Sequence, residues 1–264
     1  MSAPAAWPVH RLRITTTRLD LRPVTDADID ELLALAQDGI HADDEMPFLR
    51  PWTDAAPDQL AWDFCRYFWG QRATWAPDEW RLPLAVRVTG GALVGVQQLQ
   101  ADRFAEIGAV DTSSWLARRH QGRGIGTEMR AAALDLAFHG LGATRARSTA
   151  LVTNPGSIGV SRKLGYRANG SEPEHVRGEV VENLRFSLDR ATWLARAAET
   201  GAPARAQLDG LAGLEPLFGA TPTTPAAVAA APSALAGFRP TVAGDGAALV
   251  GAGAAPWLAA AGLR

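Results

Sequence analysis

The sequence predicts an α/β (α+β) domain, built as a mixed, twisted sheet flanked by helices, with a low-complexity C-terminal extension. Extended and helical patterns alternate through most of the 264 residues, which are enough for one well-buried domain plus an appendage. After about residue 200, Ala, Gly, Pro and Leu dominate without a sustained period. We therefore expect a domain over residues 1–219 and a disordered tail over 220–264. The run "AQLDGLAGLEPLFG" at the junction could still pack against the domain.

The first elements predicted are a strand, two helices and a hairpin. The run "RITTTRLDLRPV", ending at Val24, alternates apolar and polar residues like one half-exposed strand. Thr25 then caps a helix, with Asp28 at the position of a capping-box acid. A second helix with one apolar side begins near Asp58. Two extended runs, "LPLAVRV" and "ALVGVQQLQ", flank a glycine pair and predict a β-hairpin.

Four more elements follow the hairpin. The runs "AEIGAVDTSSWLA" and "TRARSTALV" are extended, and a glycine-led helix lies between them. The run "PGSIGVSRKL" predicts a short helix closed by Gly165, and "VVENLRFSLD" predicts a late strand. Strands separated by helices in this order are typical of a mixed sheet with helices packed on it.

A glycine-rich segment, Gln121 to Thr127, connects a strand to the long helix that follows it. The free amides and positive dipole at a helix start favour a phosphate or pyrophosphate, and glycines let such a ligand approach the backbone. The same glycines could also serve only to make a tight turn. The sequence therefore predicts either an anion-binding loop or a structural turn here.

Two common phosphate-binding motifs do not fit this segment. A P-loop ends in Gly-Lys-Ser/Thr, whereas this segment ends in Gly126-Thr127-Glu128 and lacks the lysine. A dinucleotide fingerprint requires an acid about 20 residues later, and "ATRARSTAL" offers none.

Composition excludes several classes of function. The formal net charge of -2 gives no support for a nucleic-acid or anionic-membrane partner. No stretch reaches 18 apolar residues and no secretory signal is recognisable, so we expect a cytoplasmic protein. Cys65 is the single cysteine and is better explained as a buried, inert thiol than as a nucleophile. The histidines lack paired ligand spacing, so we expect no metal.

The spacing Gln121-x-x-Gly124-x-Gly126 resembles the pyrophosphate-binding motif of the GNAT superfamily of acyl-CoA-dependent N-acyltransferases. The downstream run "NPGSIGVSRKLGYR", from Asn154, resembles the second motif block of the same superfamily. The run "EIGAVDTSSWLARRHQGRGIGTEMRAAALDLAF" is most similar to the Rim-like branch. Other segments between residues 10 and 219 resemble an actinobacterial subgroup that includes a mycobacterial GNAT associated with succinyl-CoA.

The resemblance implies a binding site for acetyl-CoA or succinyl-CoA, the acyl donor. The strand end would pair its backbone with the pantetheine arm, and the loop would hold the pyrophosphate. Arg118, Arg119 and Arg123 would be candidate phosphate contacts, or else a solvated basic rim. The residues implied to bind the donor are Trp115, Leu116, Ala117, Gln121, Gly122, Arg123, Gly124, Ile125, Gly126, Thr127 and Asn154. Asn154, before Pro155, is also expected to cap its helix.

The resemblance also implies catalytic groups. The family often has a tyrosine seven residues after the motif Asn, where this sequence has Ser161. We take Ser161 as the candidate acid for the departing thiolate, with Ser157 as its rival on the same helix face. Both could instead be helix-surface hydroxyls. Glu106, at the start of the strand leading to the loop, is the candidate base. Asp111, Asp43 and Glu45 are alternatives.

The resemblance therefore predicts an enzyme that transfers an acetyl or succinyl group directly from acyl-CoA to a primary amine of a protein or small molecule. An amine toxin such as an aminoglycoside is one such acceptor. The alternative is a non-catalytic acyl-CoA-binding or sensing module. The loop "HADDEMPFLRPW" mixes acidic and aromatic residues and could receive a cationic amine, act as a lid, or form a homodimer contact.

Overall fold

Nine strands form one sheet in the computed structural model, which describes residues 6–196 and 205–221. The strand order is β7-β8-β6-β5-β4-β3-β2-β1-β9, and β5–β6 is the parallel pair among antiparallel neighbours. The strands are β1 (Arg13–Thr15), β2 (Leu19–Pro23), β3 (Glu79–Val88), β4 (Leu93–Asp102), β5 (Ala109–Leu116), β6 (Arg145–Leu151), β7 (Arg167–Val176), β8 (Glu179–Asp189) and β9 (Gln207–Asp209). The mixed sheet confirms the predicted fold class.

Helices cover both faces of the sheet. They are α1 (Asp26–Asp38), α2 (Pro57–Ala73), α3 (Phe104–Ile107), α4 (Ile125–Asp135), α5 (Pro155–Lys163) and α6 (Arg190–Arg196). One π-helical turn, Leu136–Gly140, extends α4. The larger apolar core lies between the sheet and α4, and a second core lies between the sheet and α1 with α2. No helix in residues 6–196 or 205–221 is long and apolar enough to cross a membrane.

The local signals for the first helices and the hairpin are confirmed. The backbone N–H of Thr25 donates to Asp28 Oδ2 at 2.8 Å, which completes the capping box of α1. Helix α2 starts with Pro57 at its first turn and buries its apolar side. The hairpin β3–β4 turns at the glycine pair, where Gly90 has φ +69°.

The predicted first strand is instead a hairpin of two strands, β1 and β2. Thr16 makes the turn: its N–H donates to the carbonyl of Leu19 at 2.9 Å, and its Oγ1 accepts from the N–H of Leu19 at 3.0 Å. Thr16 Oγ1 also donates to Glu128 Oε1 of α4 at 2.6 Å. Local bonds therefore make this turn, and a long-range contact that sequence alternation cannot show holds it against α4.

The segment after α6 completes the domain. Strand β9 pairs with β1, and Phe218 is fully buried. The carbonyl of Phe218 accepts a hydrogen bond from Trp80 Nε1 at 2.9 Å, and Ala220 is buried beside it. The run "AQLDGLAGLEPLFG" therefore packs against the domain. Residues 222–264, nearly all of the predicted tail, lie outside the described residues.

Candidate functional site

The parallel pair β5–β6 separates into a fork. Ladder pairing runs from Ala109↔Arg145 to Thr112↔Ser148, after which β5 continues to Leu116 and β6 to Leu151 without further pairing between them. The β6-facing edge of Ser113–Leu116 therefore presents backbone groups to an extended ligand. Trp115, Leu116 and Ala117, expected to pair with the pantetheine arm, lie on this arm of the fork.

The glycine loop lies directly beyond the fork and starts α4. Gly124 is the residue preceding α4 and has φ +78°, in the left-handed region that favours glycine. Gly122, Arg123 and Gly124 are exposed, and Ile125 turns inward into the core. The first amides of a helix have no partner within it, so this exposed loop fits an anion.

Two amide side chains hold the loop and the fork in place. Gln121 Nε2 donates to the carbonyls of Ile40 at 2.7 Å and Leu116 at 2.9 Å, so it ties the loop to the segment after α1 and to β5. Asn154 Oδ1 accepts from the N–H of Ser157 at 2.9 Å and caps α5. Its Nδ2 donates to the carbonyl of Pro47 at 3.3 Å. The expected helix cap at Asn154 is therefore present.

The three arginines expected at the loop border it, and Arg18 joins them. Arg118 is exposed, Arg119 pairs with Asp38, and the Arg123 carbonyl accepts from Arg18 Nη1 at 3.1 Å. Arg18 also pairs with Glu128 at 2.5 Å.

A cleft of about 510 Å³ runs from the loop along the outer side of α4. Its cations are Arg18, Lys163, Arg196 and Arg205. Sequence reasoning did not single out these four, because they come from separate segments of the chain. Arg18, which bonds to the Arg123 carbonyl, lies at the loop end of this cleft and would suit a further phosphate group.

Ser161 and Ser157 meet at a buried arginine. Arg130 of α4 is 4% exposed, and its Nη1 donates to Ser161 Oγ at 2.9 Å. Longer contacts of 3.5 Å join its terminal nitrogens to Ser157, Ser114 and Ser148. Burial lowers the pKa of the Arg130 guanidinium, and no carboxylate of the described residues pairs with it. The structure thus brings both predicted serines together around a cation.

Glu106 does not lie with the serines. It was expected to begin the strand, but β5 begins at Ala109 and Glu106 belongs to the short helix α3. Its side chain is 70% exposed and lies 3.6 Å from Arg103. Ser114 is five residues into β5 from Ala109, about 16 Å along the strand. The geometry therefore places Glu106 far from the fork, and its role as base stays a prediction.

The alternative acids lie in two places. Asp111 is on β5 and pairs with Arg147 at 2.6 Å. Asp43 and Glu45 lie in the loop between α1 and α2, where their carbonyls accept from Arg177 Nη1 at 3.1 Å. Arg177 also pairs with Asp54 at 2.5 Å. These contacts of Arg177 hold the loop against the turn between β7 and β8.

The face of the fork toward α1 and α2 carries buried polar groups. Trp115 packs in the α1–α2 core, and Ser113, two residues earlier, shares its face. Phe186 and Leu188 of β8 face the other core. Asn183 lies on the opposite face of that strand, toward α1 and α2. Ser113 Oγ, Trp115 Nε1 and both amide atoms of Asn183 are buried without a hydrogen-bond partner in the described part of the chain. Such groups call for a polar ligand or water.

Cys65 is the candidate for a covalent intermediate, and His, Cys, Asp and Glu side chains are the candidate metal ligands. Cys65 lies on α2, where it is only partly buried rather than buried as expected, and this partial burial raises the pKa of its thiol. Among residues 6–196 and 205–221, no three His, Cys, Asp or Glu side chains are grouped to hold a metal ion.

Residues 18–167, which contain the fork, the glycine loop and α5, match the family model described as "Acetyltransferase (GNAT) domain". The chain belongs to this GNAT family. The matched residues comprise more than half of the sequence and both of its motif blocks. GNAT enzymes use an acyl-CoA donor.

Solved structures share the GNAT fold. Mycobacterium smegmatis RimJ in complex with CoA-disulfide is 22% identical, with a TM-score of 0.57, and the match covers 76% of this chain and 97% of that one. Mutant forms of the spermidine/spermine N-acetyltransferase SpeG from Vibrio cholerae are 17% identical, covering 69% and 99%, with a TM-score of 0.53. A GCN5-related N-acetyltransferase from Brucella melitensis is 20% identical, covering 70% and 81%, with a TM-score of 0.54.

Sequence reasoning missed Arg130 within this candidate site. Met129, Ala132 and Ala133 recur at helical spacing and mark the buried face of α4. Arg130 lies three residues before Ala133 and one after Met129, so it falls within that face. A charged residue on the buried face of a helix is therefore the sequence signal that could have identified Arg130.

Proposed function

We propose that the protein transfers an acetyl or succinyl group from acyl-CoA to a primary amine of a protein or small molecule. The observation that supports this most is the parallel fork of β5 and β6 ending at the exposed glycine loop. An extended ligand paired with Ser113–Leu116 would lead directly from the loop amides to the serines around Arg130. A pantetheine arm with a pyrophosphate at one end and a thioester at the other fits that path.

The donor would be held by the residues expected from the motif. Amides of Arg123 through Thr127 would hold the pyrophosphate, and Gln121 would fix the loop through its bonds to Ile40 and Leu116. Asn154 Nδ2 would bind the pantetheine after leaving its 3.3 Å contact with Pro47. Arg18, at the loop end of the neighbouring cleft, would bind the remaining phosphate.

Transfer would be direct within a ternary complex. Cys65 is on α2 and its thiol pKa is raised, so it does not fit an acyl-carrying nucleophile. An acceptor approaching from the α1–α2 face would meet the buried polar groups of Ser113 and Asn183. Acidic side chains of the 41–54 loop, including Asp43 and Glu45, would attract a cationic amine at its entrance.

The test is enzyme-dependent thiol release from acetyl-CoA and succinyl-CoA over a panel of polyamines, amino acids, aminoglycosides and peptides. Mass spectrometry of the reaction would identify the acylated product. We expect release with at least one amine class. A protein that binds CoA but releases no thiol over the whole panel would instead be an acyl-CoA sensor.

Donor choice is a separate prediction. We infer from the resemblance to the actinobacterial subgroup that succinyl-CoA binds at least as well as acetyl-CoA, with Arg50 in the loop as a candidate partner of the succinyl carboxylate. In direct competition, Arg50→Ala should lose succinyl-CoA affinity by about tenfold and retain acetyl-CoA affinity. Arg66→Ala, which removes an exposed arginine of α2, is the control. A clear acetyl preference unaffected by Arg50→Ala would contradict this choice.

Ser161→Ala should lower turnover more than it raises the Michaelis constant for acyl-CoA. A hydrogen bond to the leaving sulfur matters most in the transition state, and its loss should cost about tenfold in kcat. Ser157→Ala, which removes a hydroxyl 3.5 Å from the same guanidinium, is the matched comparison. If Ser157→Ala gives the turnover defect while Ser161→Ala stays active, the two roles are exchanged.

A further inference from the structure

The guanidinium of Arg130 is a buried cation without a buried anion. It is 4% exposed, its Nε has no hydrogen-bond partner within the described chain, and it is charged at all ordinary pH values. Burying an unpaired charge is costly, so natural proteins normally place a carboxylate beside such an arginine. Around Arg130 the described residues supply four serine hydroxyls instead, and the buried phenol of Tyr166, whose pKa burial raises, also lies near it.

These hydroxyls surround the point where the fork opens. Ser148 is the last residue of β6 paired with β5, and its partner there is Thr112. Ser114 lies two residues beyond Thr112 on β5. Ser157 and Ser161 come from α5, which packs against α4. The cation therefore lies beneath the opening of the fork, on the α4 face, where a ligand following β5 would end.

The contacts show how the cation would act on such a ligand. Ser161 Oγ accepts from Arg130 Nη1 at 2.9 Å, so the hydroxyl hydrogen of Ser161 is free to point elsewhere. Accepting a charge-assisted hydrogen bond polarises a hydroxyl and makes it a stronger donor. Both terminal nitrogens of Arg130 are directed at serine oxygens. The paired N–H groups with which a guanidinium holds a carboxylate are therefore already engaged.

We propose that Arg130 is a positioning residue that stabilises the departing CoA thiolate through the hydroxyl of Ser161. This inference rests on the proposed function. In the reaction, the amine nitrogen bonds to the thioester carbonyl carbon, and the carbon–sulfur bond breaks with its electron pair left on sulfur. The proton lost by the amine ends on that sulfur and completes the thiol. Ser161 donates a hydrogen bond to the sulfur while it carries negative charge.

The experiment measures the ionisation of CoA itself when bound, which requires no knowledge of the acceptor. The protein is saturated with CoA, as checked by calorimetry, and thiolate ultraviolet absorbance is followed against pH. In the wild type the thiol of bound CoA should titrate at least one pH unit below free CoA, a tenfold gain in ionisation. Arg130→Met should abolish most of this shift, and Ser161→Ala should reduce it.

Two further variants separate the effect of the positive charge on the CoA thiol from a general effect on the fold. Arg130→Lys keeps the cation and should retain part of the shift, whereas Arg185→Met removes an exposed arginine of β8 and should retain all of it. If Arg130→Met fails to fold, the wild-type shift and Ser161→Ala still decide the matter.

Each contrary outcome has a distinct meaning. A wild-type complex in which the CoA thiol titrates as in free CoA overturns this inference alone. An Arg130→Met variant that keeps the thiol shift but loses affinity for succinyl-CoA also overturns it, because the cation then binds the donor carboxylate. Failure of the wild type to bind CoA at all overturns the proposed function together with this inference.

Discussion

Phe218→Ala should destabilise the folded protein by about 3–5 kcal/mol, the range for truncating a fully buried aromatic side chain. The Phe218 ring lies 5.0 Å from that of Trp80 and 5.2 Å from that of Trp75, edge to face in both cases. Its backbone also accepts from Trp80 Nε1. The substitution therefore leaves a cavity where the C-terminal segment joins the larger core.

Denaturant or thermal unfolding of the wild type and variant measures this loss. Leu217→Ala is the matched control, because Leu217 is only partly buried and its carbonyl bond to Trp75 Nε1 survives truncation. We expect this control to cost clearly less than Phe218→Ala. A loss below about 1 kcal/mol for Phe218→Ala would show that residues 205–221 are not part of the cooperative unit.

Gly124→Val should weaken CoA binding by about 1–3 kcal/mol, which corresponds to a loss of about 5–150-fold. At φ +78° a β-branched residue is strained, and its Cβ would stand on the exposed surface of the loop, 3.4 Å from Arg18 Nη2. The new side chain would therefore obstruct the approach of a pyrophosphate to the amides. Calorimetric titration with CoA measures the change.

Gly142→Val separates the effect of backbone strain from the obstruction of the pyrophosphate. Gly142 has a similar φ of +74° and no atom within 4 Å of an added Cβ, but it lies in the turn before β6. We expect comparable strain in the fold and unchanged CoA affinity. Unchanged CoA affinity in a folded Gly124→Val variant would remove the loop from the donor site.

Local signals predicted much of this fold. The capping box of Thr25 and Asp28, the hairpin at Gly90 and the glycine-led helix each depend on contacts within a few residues, and such contacts are visible in sequence. Strand β7 was missed because its residues are mostly exposed and show no apolar alternation. Its pairing with β8 stabilises it instead.

The candidate site was predictable only where a motif carried it. The loop and Asn154 follow from spacing, because their roles use the backbone of their own segment. The arrangement at Arg130 joins residues from α4, β5, β6 and α5, and no short spacing encodes it. Glu106 was assigned by its order along the chain, whereas its distance from the fork depends on where β5 begins.

The β1–β9 pairing has a consequence for synthesis on the ribosome. Ile14 pairs with Leu208, which is added roughly 200 residues later in translation. At a translation rate of about 5–20 residues per second, the outer edge of β1 stays open for about 10–40 s. Open strand edges recruit other strands, so newly made chains crowded on one messenger would be prone to aggregate until β9 emerges.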